Sequence, residues 1–411
     1  MTEIVKQKRL SPGVFLLLII LLSCFAPIST DMYLPALSTM VEELNTTESV
    51  MNITLYGFML MLAISMLVTG PIIDKYGRKK FLIGFLVLYI IVTFAAAFAK
   101  SIEVLIILRI LQAFGSGGVM TISTAFVKDA YYGTAMTRAL NIVAMIGVLG
   151  PVIAPVAGAA LISTWGWRET FIAPALFGVI CLIISLFVTE TLPEDQRVTG
   201  GMSAMLSGMK GLFRDRAFMS FLIIICLFNL PLMAYLAVSS YVYEGTFGFS
   251  ETEYSLVLAC ALIFSIIMMS VINKVTCHTV NKKLILLFFV IGLIGSVLMY
   301  AVGHNSWVTF LLAYLFLVTA GATIRPWGMS VLMRSYPGNS GTVSSMINFM
   351  FFMLATIGMI LATADSDFVM VLGVLSLAVC VLYVIMYLAL AKIGFSKIRQ
   401  LEGTAAGDDL Q

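Results

Sequence analysis

The chain has 411 residues, of which 61% are hydrophobic and 11% charged, against roughly 25% charged and at most about 50% apolar residues in a soluble globular protein. No compact soluble fold of this length has interior enough to hide so many apolar side chains, so the surplus must face lipid. Twenty-four basic residues against 21 acidic ones leave a net charge of +3, too balanced for a nucleic-acid binder in a chain with no Lys/Arg stripe interleaved with aromatics.

Apolar stretches of about 20 residues, each long enough to cross a hydrocarbon core of about 30 Å as a helix, recur along the whole sequence. The pattern predicts twelve spans: 12–38, 50–72, 81–99, 103–126, 139–163, 170–189, 217–241, 254–274, 284–302, 307–332, 342–364 and 368–391. At the start, a basic stretch, an apolar run and Leu21-Leu22-Ser23-Cys24 are similar to a bacterial lipoprotein signal. Cleavage there would remove half of span 1 and spoil the even number of spans.

The longest polar segment, 190–216, contains Pro193, the Gly200-Gly201 pair and four basic residues. It reads as a cytoplasmic linker between an N-terminal six-helix half, 1–189, and a C-terminal half with a short tail, 217–411. Gly133-Thr134 with Thr137 opens span 5, and Gly341-Thr342 with Ser345 opens span 11, an offset of 208. That position-consistent match suggests diverged copies.

Basic residues orient the spans. With the N-terminus inside, cytoplasmic segments hold 20 of the 24 lysines and arginines, while outer loops gather Glu42, Glu43, Glu48, Glu244, Glu251 and Glu253. The positive-inside bias places both termini in the cytoplasm. The six cysteines, Cys24, Cys181, Cys226, Cys260, Cys277 and Cys380, give neither a disulfide framework nor a zinc spacing. With two histidines in loops, His278 and His304, no metal site is expected.

Three ionisable residues remain inside spans: Asp31 in span 1, Arg109 in span 4 and Arg325 in span 10. Each costs at least about 2.5 kcal/mol at mid-bilayer, so each should face a cavity or a partner. Asp31 and Arg109 lie at similar depths, about 9 Å below the outer interface, and are placed to meet. Desolvation favours the protonated carboxyl and a nearby guanidinium the ionised one. Asp31 is thus either a proton-coupling carboxylate with Arg109 or half of a static ion pair. Arg325 lies about 13 Å above the inner end of span 10; it either contacts substrate or an anion in a central cavity, or snorkels toward the inner surface. No acidic residue is embedded in the C-terminal half.

Other candidates for the substrate site are Tyr33, Tyr56, Gln112, Asn141, Asn229, Tyr235 and Asn348. Gln112 follows Arg109 at i+3, on the same side of the helix. Each Asn or Tyr taken singly also reads as an interhelical hydrogen bond. The 26 Met and 28 Phe suit a soft apolar pocket, or simply face lipid and neighbouring helices.

Gly70-Pro-Ile-Ile-Asp74-Lys-Tyr-Gly77-Arg78-Lys79-Lys80, joining spans 2 and 3, resembles the signature loop of the major facilitator superfamily. There Gly70 would let helices approach, Gly77 would permit a tight turn, and Asp74 with Arg78 would form a charge latch. Ser29-Thr-Asp-Met-Tyr-Leu-Pro-Ala36 looks like the span 1 motif of its Bcr/CflA branch of drug:proton antiporters, and Arg109-Ile-Leu-Gln112-Ala resembles the span 4 motif. Gly147-Val-Leu-Gly150-Pro151-Val-Ile-Ala-Pro155-Val-Ala-Gly158 is similar to the antiporter motif of span 5. Gly166-Trp167-Arg168 and Glu190-Thr-Leu-Pro193-Glu194 stand where that branch places similar motifs.

The resemblance implies an all-α integral membrane protein of 12 transmembrane helices in two pseudo-symmetric six-helix halves. Asp31 would be the embedded acid, Arg109 its partner, and Asp74, Arg78 and Asp129 the cytoplasmic latch. Small residues of span 5 would pack against a helix of the other half, and Pro151 and Pro155 would soften it. The second copy of the loop, Asn273 to Lys283, has no Asp-Arg latch, and no family motif explains Arg325.

The expected function is proton-coupled export of lipophilic drugs by alternating access, of the multidrug or phenicol type, conferring antibiotic resistance. It would be performed by a monomer in a bacterial inner membrane, driven by the proton gradient with no cofactor. Nucleotide-binding loops and catalytic triads are lacking, so an enzyme is not expected. The alternative is a transporter of a specific metabolite or sugar, whose cavity would be richer in Asn, Gln and acids.

Overall fold

The computed structural model describes residues 7, 9–131, 150, 153–194, 197, 210–276, 283–336 and 340–394. Helices occupy all twelve positions marked by hydropathy. Ten are long and apolar enough to cross a membrane, and two apolar stretches, Ile153–Trp165 and Met346–Ala362, are shorter. Among the described residues there is no β-strand, so the protein is an all-α, multi-pass membrane protein.

Prolines decide where spans 1 and 7 break. A proline offers no N–H and presses its ring on the carbonyl four residues back. Pro27 does this to Ser23, and span 1 runs as Pro12–Ser23, then restarts as Phe25–Asp31. Pro35 does the same to Asp31, where the second piece ends; a 3-10 turn, Leu34–Ala36, leads into Leu37–Glu43. In span 7, Pro231 stands four residues after Leu227, and Arg216–Cys226 gives way there to Asn229–Ser240 and a π-helical end, Tyr241–Thr246. Pro27 and Pro231 are 204 residues apart, close to the repeat offset.

The remaining spans are Glu48–Tyr76 (span 2), Lys79–Ala97 (3), Ile102–Ala130 (4), the described part of span 5, Ile153–Trp165, Glu169–Leu186 (6), Glu251–Thr276 (8), Lys283–Val302 (9), Trp307–Ser335 (10), Ser340–Ala362 (11) and Phe368–Ile393 (12). Spans 2 and 4 run further toward the basic side than hydropathy indicates. Asp74 and Asp129 therefore ride on helical last turns, and Gly77 and Arg78 alone separate spans 2 and 3.

The chain divides into two compact units, Met1–Ala204 with Gly248–Ala259, and Met205–Phe247 with Cys260–Gln411. In the first, span 4 packs against spans 1, 2 and 3, and span 3 also against span 6. Its core joins Phe15, Leu22 and Phe25 of span 1, Phe85 and Tyr89 of span 3, Val119 and Phe126 of span 4, and Cys181 of span 6. Small residues let these helices close up without a hydrophobic driving force: a Cβ on Gly117 would stand 2.8 Å from Ser65 of span 2 and one on Gly118 would run into the Phe85 ring of span 3. In the second unit, span 9 packs against spans 10 and 12, and span 7 against spans 11 and 12. Ile91, Ile180, Ile183, Val381 and Leu388 are exposed, as lipid-facing residues must be.

Candidate functional site

The break imposed by Pro35 puts Asp31 at a helix end in the middle of an apolar span. Asp31 is half-buried, and its Oδ1 accepts a hydrogen bond from Thr30 Oγ1 at 2.9 Å. Arg109 of span 4 is completely buried. Its Nη1 donates to the carbonyl of Ser29 at 2.7 Å and to Gln112 Oε1 at 2.6 Å. The guanidinium carbon lies 4.4 Å from the ring centres of both Tyr33 and Phe58, and the negative faces of these rings attract the cation. Asp31 and Arg109 are close enough for their charges to act on each other, yet among the described residues Arg109 forms no ion pair within 4.0 Å.

Neighbouring groups hold this arrangement. Ser29 Oγ donates to Phe25 O at 2.6 Å and lies 2.7 Å from Tyr89 Oη, so span 3 fixes the carbonyl that Arg109 uses. Tyr33 Oη lies 3.0 Å from Thr54 Oγ1 of span 2. Gly150 and Gly158 of span 5 meet span 1 of their own unit, where the resemblance implies a helix of the other half. A Cβ on Gly150 would stand 2.7 Å from Pro27, and one on Gly158 would overlap the Met32 carbonyl oxygen beside Asp31. At Gly158 the contact is with the span 1 backbone itself, and a side chain there would force it to shift. Pro155 is buried on the same helix; Asn141, Gly147 and Pro151 lie outside the described residues.

At the basic side, the latch residues converge. Arg78 is buried; its Nη1 pairs with Asp74 Oδ1 at 2.5 Å and its Nε with Asp129 Oδ2 at 3.1 Å. Thr191 Oγ1 adds a 2.9 Å bond to Asp129. Glu190, at the exit of span 6, completes the cluster by accepting from the backbone N–H of Arg78 at 2.9 Å and Lys79 at 3.1 Å, the first donors of span 3. Gly77 has φ +95, a conformation open to glycine, and a Cβ there would stand 2.7 Å from Glu190 Oε2. Gly70 does not mediate a close approach as expected: among the described residues nothing lies within 4 Å of its Cβ position, because Gly117 of span 4 makes the approach to span 2. On the opposite side, Glu43 Oε2 accepts from Trp167 Nε1 at 2.8 Å and pairs with Arg168 at 3.0 Å, tying the end of span 1 to the start of span 6.

The second unit gathers three more candidates. Arg325 Nη2 donates to Asn348 Oδ1 at 3.0 Å, and its guanidinium carbon lies 3.5 Å from the ring centre of Phe351. Asn229, placed at the break of span 7, donates from Nδ2 to the carbonyl of Phe351 at 2.7 Å. Tyr235 belongs elsewhere: it stacks on Tyr314 with ring centres 3.7 Å apart and donates to Tyr243 Oη at 3.1 Å. Tyr314 precedes Arg325 by eleven residues, about 16 Å along the helix. Tyr56 is half-buried on span 2.

Several residues carry no sign in the hydropathy pattern. Phe58 and Phe351 are two of 28 phenylalanines, and only the neighbouring guanidinium distinguishes them. Tyr89 and Asn52 are polar residues in apolar stretches and stand out on inspection. Asn52 is completely buried with neither amide atom bonded among the described residues. Among the described residues no cluster of three or more His, Cys, Asp or Glu is placed to hold a metal ion.

Known proteins agree with this architecture. The model of the Major Facilitator Superfamily matches residues 19–359. Multidrug resistance protein D of Escherichia coli strain K12 is 24% identical over 335 residues, 81% of this chain and 84% of that protein. The chloramphenicol resistance protein of Pseudomonas aeruginosa is 33% identical over 193 residues, 44% of each chain. Among solved structures, a peptide transporter POT in complex with sulfate superposes with a TM-score of 0.73 at 13% identity, over 95% of this chain and 96% of that one, which shows a shared fold. With a family match spanning most of its length, the chain belongs to the Major Facilitator Superfamily.

Proposed function

We propose that the protein is a proton-coupled exporter of lipophilic drugs, acting as a monomer by alternating access in a bacterial inner membrane with both termini in the cytoplasm. The observation that carries the proposal is the half-buried Asp31 at a helix break beside Arg109, whose hydrogen bonds and aromatic contacts are made by other groups. A carboxylate locked into an ion pair would resist protonation; Asp31 is held by Thr30 alone among the described residues. It is thus free to change its proton occupancy while Arg109 stays in place.

In this reading a proton arriving from outside neutralises Asp31 and the drug leaves outward. Loss of the proton to the cytoplasm restores the form that takes up the next drug molecule. The drug-resistance names of two relatives support a lipophilic substrate. Basic residues concentrated on one side of the spans support the orientation.

The test is flux of labelled chloramphenicol into everted membrane vesicles with an imposed pH gradient, acid inside. Accumulation that collapses when the gradient is dissipated is expected. Absence of accumulation, or flux indifferent to the gradient, would contradict the proposal.

A further inference from the structure

We propose that Arg325, Asn348 and Phe351 form a subsite that selects lipophilic compounds bearing an anionic or strongly hydrogen-bond-accepting group and turns away lipophilic cations. This rests on the reading of the protein as an exporter of lipophilic compounds and narrows their class.

The orientation of these residues follows from their neighbours. Gly321 and Gly328 flank Arg325 on the same face of span 10, four residues before and three after. A Cβ on Gly321 would lie 3.5 Å from Phe228, and one on Gly328 would overlap the Ile225 side chain, so this face turns to span 7. On span 11, Phe351 shares a face with Gly358, whose Cβ would overlap the Leu230 carbonyl oxygen, also of span 7. Asn229 bonds the Phe351 carbonyl from the same helix. Arg325 is therefore directed into its unit, toward the break made by Pro231, and not toward lipid.

Its bonding leaves capacity to spare. A guanidinium offers five N–H donors in a planar fork and stays protonated under all physiological conditions. One hydrogen bond, to Asn348, is made here, and among the described residues no carboxylate lies within 4.0 Å. Arg109, in contrast, is completely buried, whereas Arg325 is half-buried. The described acids of this unit, Asp215, Glu244, Asp365 and Asp367, lie at span ends. The embedded charge here is thus positive, with unused donors above an aromatic face. A flat compound with a carboxylate, phenolate, nitro or carbonyl group meets both features, and a lipophilic cation meets repulsion.

Tetraphenylborate and tetraphenylphosphonium have nearly the same size and opposite charge. Equilibrium dialysis of each against the purified full chain in neutral detergent, corrected for micelle partition, reads the charge preference. The wild type is expected to bind the borate at least about tenfold more tightly, since like charges repel strongly in such a site. Arg325→Gln is expected to abolish that preference. Arg325→Lys, which keeps the charge and loses the fork, is expected to retain it while weakening chloramphenicol binding.

Equal binding of the two ions, preference for the cation, binding of neither, or an unchanged preference in Arg325→Gln would overturn the proposal. If Arg325→Gln does not fold, loss of the preference in Arg325→Lys would overturn it. Anion preference without gradient-driven flux removes the exporter reading and leaves the subsite; gradient-driven flux without anion preference does the reverse.

Discussion

Arg109 reaches the carbonyl of Ser29, two residues before Asp31, and leaves the Asp31 carboxylate to Thr30. The cation is anchored to the same broken helix as the acid, through a backbone group whose charge state cannot change. Protonation of Asp31 then alters the electrostatics of the site without removing a ligand from Arg109. A direct ion pair would couple the two differently, because each proton gained would strand a buried guanidinium.

Arg109→Lys tests this anchoring. A lysine keeps the charge but cannot span the Ser29 carbonyl and Gln112 while lying flat between Tyr33 and Phe58. Loss of two cation–π contacts at about 0.5–2 kcal/mol each corresponds to a fall in gradient-driven transport of about tenfold or more. Flux normalised to the amount of monodisperse protein is the readout, and wild-type flux in Arg109→Lys would contradict it.

The latch carries a ranked prediction. Arg78 and Asp129 are largely shielded, with side chains 7% and 14% exposed, whereas Asp74 is 48% exposed. Asp129→Asn is expected to lower stability by about 3 kcal/mol, the usual cost of removing one partner of a buried pair. Asp74→Asn is expected to cost less than about 1 kcal/mol. Thermal unfolding midpoints of the purified variants decide the order.

Glu190 and Gly77 give a paired stability test. Glu190→Gln keeps the acceptor shape but removes the charge facing the first N–H groups of span 3, a change of about 1 kcal/mol. Gly77→Ala should cost more, since it forces a side chain into a left-handed conformation and against Glu190 at once. Equal midpoints for wild type and Gly77→Ala would refute this placement of Glu190.

Gly158→Ala is expected to impair transport through span 1. The added methyl overlaps the Met32 carbonyl oxygen, so the backbone beside Asp31 must shift. A reduction of at least several-fold in chloramphenicol flux, normalised to the amount of monodisperse protein, is expected. Gly70→Ala, whose Cβ meets nothing within 4 Å among the described residues, serves as the comparison and should transport normally.

The spans were legible in the sequence because lipid demands about 20 apolar residues per crossing, a long-range signal that survives local detail. The breaks were legible in principle too, since Pro35 stands four residues after Asp31 and Pro231 four after Leu227. The three embedded charges announced themselves by cost. The i+3 spacing put Gln112 beside Arg109, but partners on other helices did not show: Asn348 is 23 residues from Arg325 on another helix, and no spacing rule relates two helices that meet only through packing. The same holds for Glu190, 112 residues from Arg78, and for Phe58 and Phe351, whose role comes from the guanidinium that each one faces. Hydropathy also stopped spans 2 and 4 early, because Asp74, Lys128 and Asp129 are polar, although the backbone remains helical past them.

The most direct measurement of proton coupling compares wild type with Asp31→Asn in everted vesicles, following chloramphenicol both as gradient-driven accumulation and as exchange with no pH gradient. Asp31→Asn is expected to retain exchange, which needs binding and conformational cycling, and to lose accumulation, which needs a carboxyl that takes up and releases a proton. Accumulation by Asp31→Asn at the wild-type level would contradict the assignment of Asp31 as the coupling carboxylate.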